Sequence, residues 1–242
     1  MRIAAVSDLH GNLPDIPQCD VLIIAGDICP DRLPGGNWAR HAPIVQKQWL
    51  DDQFLLWLQR QRANFEHCYC TWGNHDFIGM DESVQGSGVM EPHVEFVVDE
   101  ERTIGGFRFW FSPWTSQNDL RMRWAFMRDD VDLVRIFDAI PPGIDVLVSH
   151  SPVYGYGDDP GVPLLTNGGD VHLGSKSLLA AVQRVRPLYL ICGHIHGGYG
   201  HSQLSIDYTV EKHDCTHEVD IYNVALVNEG YKPVHPITVI DL

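Results

Sequence analysis

The stretch LYLICGHIH, residues 188–196, is a short apolar run that ends in a polar cluster. Runs of four or five residues rich in Val, Ile and Leu are typical of strands buried on both faces. The same pattern recurs at residues 2–6, 21–25, 67–71 and 145–148, each followed by Asp, Asn or His. Because polar groups just past the carboxyl ends of parallel strands converge on one crevice, we expect these five clusters to meet.

Helical periodicity and turn signals separate some of these strands. Pro43 marks the start of one predicted helix and Ser175 is a plausible N-cap of another. The predicted helices cover residues 44–61, 118–127, 131–137 and 175–185. Residues 94–98 and 107–111 flank Gly105-Gly106, which predicts a hairpin, and residues 221–227 and 237–240 are predicted strands. The pattern favours an α/β fold with a partly antiparallel sheet, in one domain over residues 1–242.

The composition is that of a globular protein. Of the 242 residues, 44% are apolar and 20% are charged, which excludes a disordered or collagen-like chain. No segment reaches the roughly 18 uncharged apolar residues that a membrane span needs. The first residues lack a secretory signal, and the six cysteines form no C-x-x-C pair. We therefore expect a cytoplasmic protein with reduced thiols and no membrane partner.

The charge balance limits the partners. The net charge is −15, from 17 basic and 32 acidic residues. Such a surface repels polyphosphate backbones, so we expect no long duplex nucleic acid as partner. An acidic chain still binds a small phosphoester if it first binds cations, because these reverse the local field.

The polar residues of the five clusters have the chemistry of a dimetal site. Their candidate ligands are Asp8, His10, Asp27, Asn74, His150, His194 and His196. Two divalent cations roughly 3.5–4 Å apart need an anionic oxygen between them, and Asp27 is the natural bridge because Gly26 permits close backbone approach. Mixed imidazole and carboxylate ligands favour Mn, Fe, Co or Zn over Mg or Ca, and we expect Mn.

Taken together, these motifs resemble the five blocks of the calcineurin-like metallophosphoesterase superfamily, in the same order. They read DLH at residues 8–10, GD at 26–27, GNHD at 73–76, His150 and GHIH at 193–196, so the resemblance covers most of the chain. It implies a four-layer α/β/β/α sandwich, in which two mixed β-sheets are flanked by helices and the dimetal site lies at the strand ends.

The resemblance also implies roles for the residues. One metal would be held by Asp8, His10, Asp27 and His196, and the other by Asp27, Asn74, His150 and His194. A hydroxide between the metals would attack phosphorus in line. His75 would face the substrate and assist the leaving group, and Asp76 would orient the His75 ring.

Further stretches resemble the small metallophosphoesterase-domain-containing phosphodiesterases, which are similar to cyclic-nucleotide phosphodiesterases of class III type. These stretches are SPW at residues 112–114, HLG at 172–174, VRP at 185–187, GYG at 198–200 and the closing residues 236–242. This resemblance implies a metal-dependent phosphodiesterase that hydrolyses a small or exposed phosphodiester, such as a cyclic nucleotide. His172 and His201 lie near the motifs and are candidates for substrate contact.

Other functions stay open at this point. A phosphomonoesterase or protein phosphatase is the nearest alternative. Ser/Thr protein phosphatases add an Arg beside the Asn-His-Asp block, where this chain has Phe77-Ile78, but Arg32, Arg40 or Arg121 would be other sources of that charge. A non-catalytic scaffold of the same fold is disfavoured because every ligand position is filled. A nucleotide or a short single-stranded end also remains a possible substrate.

Overall fold

A computed structural model describes residues 1–31, 43–81, 94–117, 124–162, 171–211 and 213–242. The strands are β1 Arg2–Val6, β2 Val21–Ala25, β3 His67–Thr71, β4 Val94–Phe96, β5 Glu100–Ile104, β6 Phe107–Ser112, β7 Thr115–Ser116, β8 Met127–Arg128, β9 Val146–Ser149, β10 Tyr189–Cys192, β11 Gly200–Val210, β12 His213–Asn223 and β13 Thr238–Asp241. The α-helices are α1 Pro43–Trp49, α2 Leu55–Gln61, α3 Asp130–Asp138 and α4 Lys176–Val185.

The strands form two large mixed sheets. In the first sheet the order is β13-β1-β2-β3-β4, with β1 to β4 parallel and β13 antiparallel to β1. In the second sheet the order is β11-β12-β10-β9-β6-β5, where β12, β10, β9 and β6 are parallel and the edge strands β11 and β5 are antiparallel. The short strands β7 and β8 pair with each other.

Successive side chains of a strand face opposite sides of its sheet, and both sides are packed, which gives four layers. In β1, Ile3 and Ala5 pack in a core between the sheets with Phe109 and Val146 of the second sheet. The intervening side chains of β1 face the other way and belong to a core that includes Phe54 of the first helical segment. Residues of α3 and α4 form a third core with the outer face of the second sheet. The expected α/β/β/α sandwich is therefore confirmed.

The helices follow the sequence signals. The π-helical turn Leu50–Phe54 joins α1 to α2, so the predicted helix over residues 44–61 is confirmed. The Ser175 side chain accepts a hydrogen bond from the Leu178 N–H at 3.1 Å and caps α4. In the described ranges, no helix is both long and apolar enough to pass through a membrane.

Two local predictions need correction. The turn at Gly105-Gly106 is a hairpin turn, but it joins β5 to β6, whereas β4 pairs in parallel with β3 in the other sheet. The chain changes sheet at Asp99, which has a left-handed backbone (φ +49°). The helix predicted over residues 118–127 is wrong at its end, where Met127 pairs in β8, and residues 118–123 lie outside the described residues.

Candidate metal centre

The carboxyl ends of five parallel strands meet as expected. Asp8, Asp27 and Asn74 follow β1, β2 and β3 of the first sheet, and their partners follow β9 and β10 of the second. Three groups of side chains have ligand atoms that all lie within 4.8 Å of one another, and these are Asp8, His10 and His196; His10, Asp27 and His75; and Asp27, His150 and His194. We call these residues together with Asn74 the His/Asp cluster.

Asp27 and His10 each belong to two of the three groups, and Asp27 is the carboxylate of this pair. Its Oδ2 atom lies 3.3 Å from His150 Nε2 and 3.7 Å from His10 Nε2. Its Oδ1 atom accepts a hydrogen bond from the His75 backbone N–H at 2.8 Å, which fixes the carboxylate plane. One carboxylate therefore faces both halves of the cluster, as a bridging ligand must.

Backbone carbonyls set the orientation of two imidazoles. His150 Nδ1 donates to the Ala25 carbonyl at 2.8 Å, and His196 Nδ1 donates to the Asn228 carbonyl at 3.1 Å. With Nδ1 bonded to a carbonyl, the Nε2 atom of each ring faces the cluster. His150 Nε2 lies 3.1 Å from Asn74 Oδ1, and His196 Nε2 lies 3.3 Å from Asp8 Oδ1.

Several cluster residues adopt a strained backbone. Asp8, His10, Asp27 and His194 have φ values of +55°, +42°, +52° and +68°. Non-glycine residues rarely adopt this left-handed region, and each such residue costs on the order of 1 kcal/mol or more. Such strain is concentrated at functional sites, because the surrounding structure must hold it.

Glycines permit the close approach of the loops. A Cβ atom on Gly26 would lie 2.5 Å from His150 Nδ1, and one on Gly73 would lie 2.2 Å from Asp27 Oδ1. A Cβ on Gly193 would lie 2.3 Å from Asp8 Oδ2. Only hydrogen fits at these positions, which agrees with the prediction for Gly26.

Burial and neighbouring charges shift the pKa values of several cluster residues from their ordinary values. Burial disfavours the charged form of Asp8, but the hydrogen bond to His196 and the charges of His196 and His150 together outweigh it and lower the pKa of Asp8 to about 2. Burial also disfavours the His150 imidazolium, but the charges of Asp27 and Asp8 together with the hydrogen bonds to Asp27 and the Ala25 carbonyl outweigh it and raise the pKa of His150 to about 9. Burial dominates at His194 and lowers its pKa to about 3.

The residues present fit divalent cations. Both ring nitrogens of His10 are buried without a hydrogen-bond partner, which is costly unless another group binds them. His10 Nε2 lies 3.7 Å from Asp27 Oδ2 and 4.0 Å from Asp8 Oδ1, so these atoms surround a common point without bonding each other. Imidazole, carboxylate and amide donors at such spacing suit cations of the Mn, Fe, Co or Zn type.

The residue behind the His75 ring differs from the sequence prediction. Asp31 Oδ1 accepts the hydrogen bond of His75 Nδ1, and Asp31 Oδ2 lies 3.5 Å from His10 Nδ1. Burial disfavours the His75 imidazolium, but the charges of Asp27 and Asp31 outweigh it and raise the pKa of His75. The positioning role expected of Asp76 is therefore taken by Asp31.

Asp76 instead supports the backbone of the cluster. Its carboxylate accepts hydrogen bonds from the N–H groups of Ile28 at 3.0 Å, Cys29 at 2.9 Å and Gly73 at 2.9 Å. These bonds tie the loop after β2 to the loop after β3. The prediction that Asp76 orients the His75 ring is wrong because the backbone uses both of its oxygens.

Other supporting residues carried no motif in the sequence. Asn223 is 1% exposed, and its amide donates to the carbonyls of Gly157 at 2.8 Å and Ile195 at 2.9 Å, which fixes the loop of His194 and His196. Tyr231 and Trp124 place aromatic rings against cluster histidines. A polar residue at the end of β12 was the only sequence signal for this group.

His172 and His201 lie together at a neighbouring pocket of about 320 Å³. His172 Nδ1 is 2.8 Å from Asp158 Oδ1, and His201 Nε2 is 2.8 Å from Asp220 Oδ1. The pocket wall also includes Gly197, which directly follows the cluster residue His196. Contact of these two histidines with substrate stays a prediction.

A four-layer sandwich that gathers His and Asp side chains at the ends of its parallel strands is typical of metal-dependent phosphoesterases. A family model described as calcineurin-like phosphoesterase matches residues 1–198, and the chain belongs to this family. The chain is 29% identical over 258 residues to the human metallophosphoesterase domain-containing protein 1, covering 100% of this chain and 71% of the human protein. It is 32% identical over 259 residues to the Caenorhabditis elegans UPF0046 protein T07D4.2, covering 98% of this chain and 61% of the relative.

Proposed function

We propose that the protein is a phosphodiesterase that hydrolyses a small or exposed phosphodiester, with two divalent cations, preferably Mn, in the His/Asp cluster. The observation that carries the proposal is the approach of His10 Nε2 and His150 Nε2 to Asp27 Oδ2, where the buried His10 Nε2 has no hydrogen-bond partner. A cytoplasmic location and a single domain over residues 1–242 stay predictions.

Asp8, His10, Asp27 and His196 would hold one cation, and Asp27, Asn74, His150 and His194 the other. Bound cations would polarise the phosphoryl oxygens and lower the pKa of water. His75 Nε2 lies 4.0 Å from Asp27 Oδ2, beside the position where these cations would bind. With its Nδ1 bonded to Asp31, His75 would donate a proton from Nε2 to the leaving oxygen.

The charge around the cluster supports a diester over a monoester. The ion pairs of Asp8, Asp27 and Asp31 in the described ranges are all with histidines, and none is with Lys or Arg. A phosphomonoester dianion carries one more negative charge than a diester, so an additional cationic partner would stabilise it more. Arg32, Arg40 and Arg121, which would supply it, lie outside the described residues.

The test is a substrate panel with Mn-loaded protein. We expect faster hydrolysis of bis(p-nitrophenyl) phosphate than of p-nitrophenyl phosphate, and activity on 2′,3′- or 3′,5′-cyclic nucleotides. His75→Ala should lower kcat about 10²–10⁴-fold with two metal ions retained per chain. Faster cleavage of the monoester would favour the phosphomonoesterase, and protein that binds no metal would favour the scaffold.

A further inference from the structure

A tight turn over residues 228–232 is anchored directly on the His/Asp cluster. The Asn228 carbonyl accepts the hydrogen bond of His196 Nδ1 at 3.1 Å, and Glu229 Oε1 accepts the Gly197 N–H at 3.0 Å. Asn228 Oδ1 also accepts the N–H groups of Gly230 at 3.0 Å and Lys232 at 3.2 Å. The turn therefore has a fixed position relative to the cluster.

Tyr231 projects from this turn over three cluster histidines. Its ring centroid lies 4.7 Å from that of His10, 5.4 Å from His196 and 6.3 Å from His75, all in edge-on geometry. Its backbone has φ +58°, and the Tyr231 N–H donates to the Asn228 carbonyl at 2.7 Å. Although it packs on these rings, the residue is 46% exposed, so the histidines do not cover it completely.

Trp124 also packs against His75, one of the three histidines that Tyr231 contacts. Its ring centroid is 4.2 Å from that of His75, and Phe77 is 6.2 Å from Trp124. His75, the proposed proton donor, thus has aromatic contacts with both Tyr231 and Trp124. Two aromatic side chains converge on the residue that would contact the ester group of the substrate.

We propose that Tyr231 and Trp124 form a subsite for an aromatic or heteroaromatic ester group on the substrate phosphate. Aromatic rings pack edge-to-face or offset-stacked with about 0.5–1.5 kcal/mol beyond their area burial, which an aliphatic ester group does not obtain. The carboxylates of Asp31 and Glu229 beside the cluster disfavour an anionic group there, whereas a neutral ring is compatible with them. This inference rests on the proposed phosphodiesterase function and narrows its substrate class.

The test compares the binding of two diesters to Mn-loaded protein by calorimetry. Diphenyl phosphate should bind the unsubstituted protein about tenfold more tightly than dimethyl phosphate. Tyr231→Ala should remove most of this difference and leave dimethyl phosphate binding within about twofold, while Tyr231→Phe should retain it. Tyr208→Ala, on strand β11 where the ring packs against Arg186, is the matched control and should change neither affinity.

The outcomes separate this inference from the proposed function. Equal affinity of the unsubstituted protein for the two diesters, or equal weakening of both by Tyr231→Ala, would overturn the subsite. Tyr231-dependent binding of diphenyl phosphate without hydrolysis of any diester would overturn the phosphodiesterase and leave the subsite standing. If Tyr231→Ala does not fold by circular dichroism, Tyr231→Leu keeps the bulk without the ring and should still lose the preference for diphenyl phosphate.

Discussion

Replacing Gly73 with alanine perturbs the proposed bridging carboxylate without changing any candidate ligand. The added Cβ atom would lie 2.2 Å from Asp27 Oδ1 and 2.4 Å from the Asp27 backbone nitrogen. Ordinary van der Waals contacts of a Cβ begin near 3.4 Å, so the carboxylate has to move by about 1 Å. The backbone nitrogen cannot yield as easily, because the Asp27 loop is tied to Asp76 through the Ile28 and Cys29 N–H groups.

The size of the effect follows from this displacement. Overpacking of this kind destabilises a fold by about 1–3 kcal/mol, and a 1 Å error in the position of a reacting group reduces the rate about 10²-fold. We therefore expect Gly73→Ala to fold, to melt a few degrees lower, to bind Mn at least about tenfold more weakly and to lose about 10²-fold in kcat/KM.

The assay is a Mn titration followed by thermal melting and by metal analysis of the gel-filtered protein, together with diester hydrolysis. Gly106→Ala is the control, because its Cβ would meet nothing within 4 Å although its φ is +89°. That variant should lose about 1 kcal/mol of stability from backbone strain and keep its Mn affinity. A folded Gly73→Ala variant with unchanged Mn affinity would refute the assignment of Asp27 as the bridge.

Three further predictions concern the support of the cluster and its cations. Asp31→Asn should lower kcat about tenfold with metal stoichiometry unchanged, because His75 loses a charge-assisted hydrogen bond, and an unaltered kcat would exclude the positioning role. Asn223→Ala removes the hydrogen bonds to the Gly157 and Ile195 carbonyls and takes the acceptor Oδ1 away from the buried Ala225 N–H, and should reduce the free energy of unfolding by about 2–3 kcal/mol and weaken Mn binding, measured by urea unfolding and titration. Chelation should lower the melting temperature by several degrees, since saturation at 100 Kd contributes about 2.7 kcal/mol per site, and Mn should restore it; a melting temperature indifferent to chelator would argue against resident cations.

The apolar runs predict an α/β fold and the convergence of the clusters, whereas the four layers are implied by the resemblance to the family. Continuous apolar runs indicate strands buried on both faces, and the polar residue after each run has only one edge of the sheet to occupy. This pattern predicts Asp8, Asp27 and His150 as members of the site. The hairpin at Gly105-Gly106 was predicted at its turn but not at its first strand, because β5 is a polar edge strand with little apolar signal.

The sequence does not predict the contacts between loops that are distant along the chain. Asp31 lies four residues after Asp27, and nothing in that loop distinguishes it from Asp76 as the partner of the His75 ring. Asp76 does not bind the His75 ring because its carboxylate accepts hydrogen bonds from the Gly73 and Ile28 N–H groups. Tyr231 reaches the cluster through a turn close to the end of the chain. Its contact with His10 joins residues far apart in the sequence, so no local motif predicts it.

The left-handed backbone at Asp8, Asp27 and His194 has a consequence for laboratory evolution. Glycine adopts this conformation without the steric penalty of a side chain, so replacement by glycine relieves local strain. A selection for thermal stability alone, in medium depleted of trace metals, should enrich glycine at these three positions. The selected variants would be more stable but inactive. Libraries intended to improve resilience should therefore keep these three codons constant.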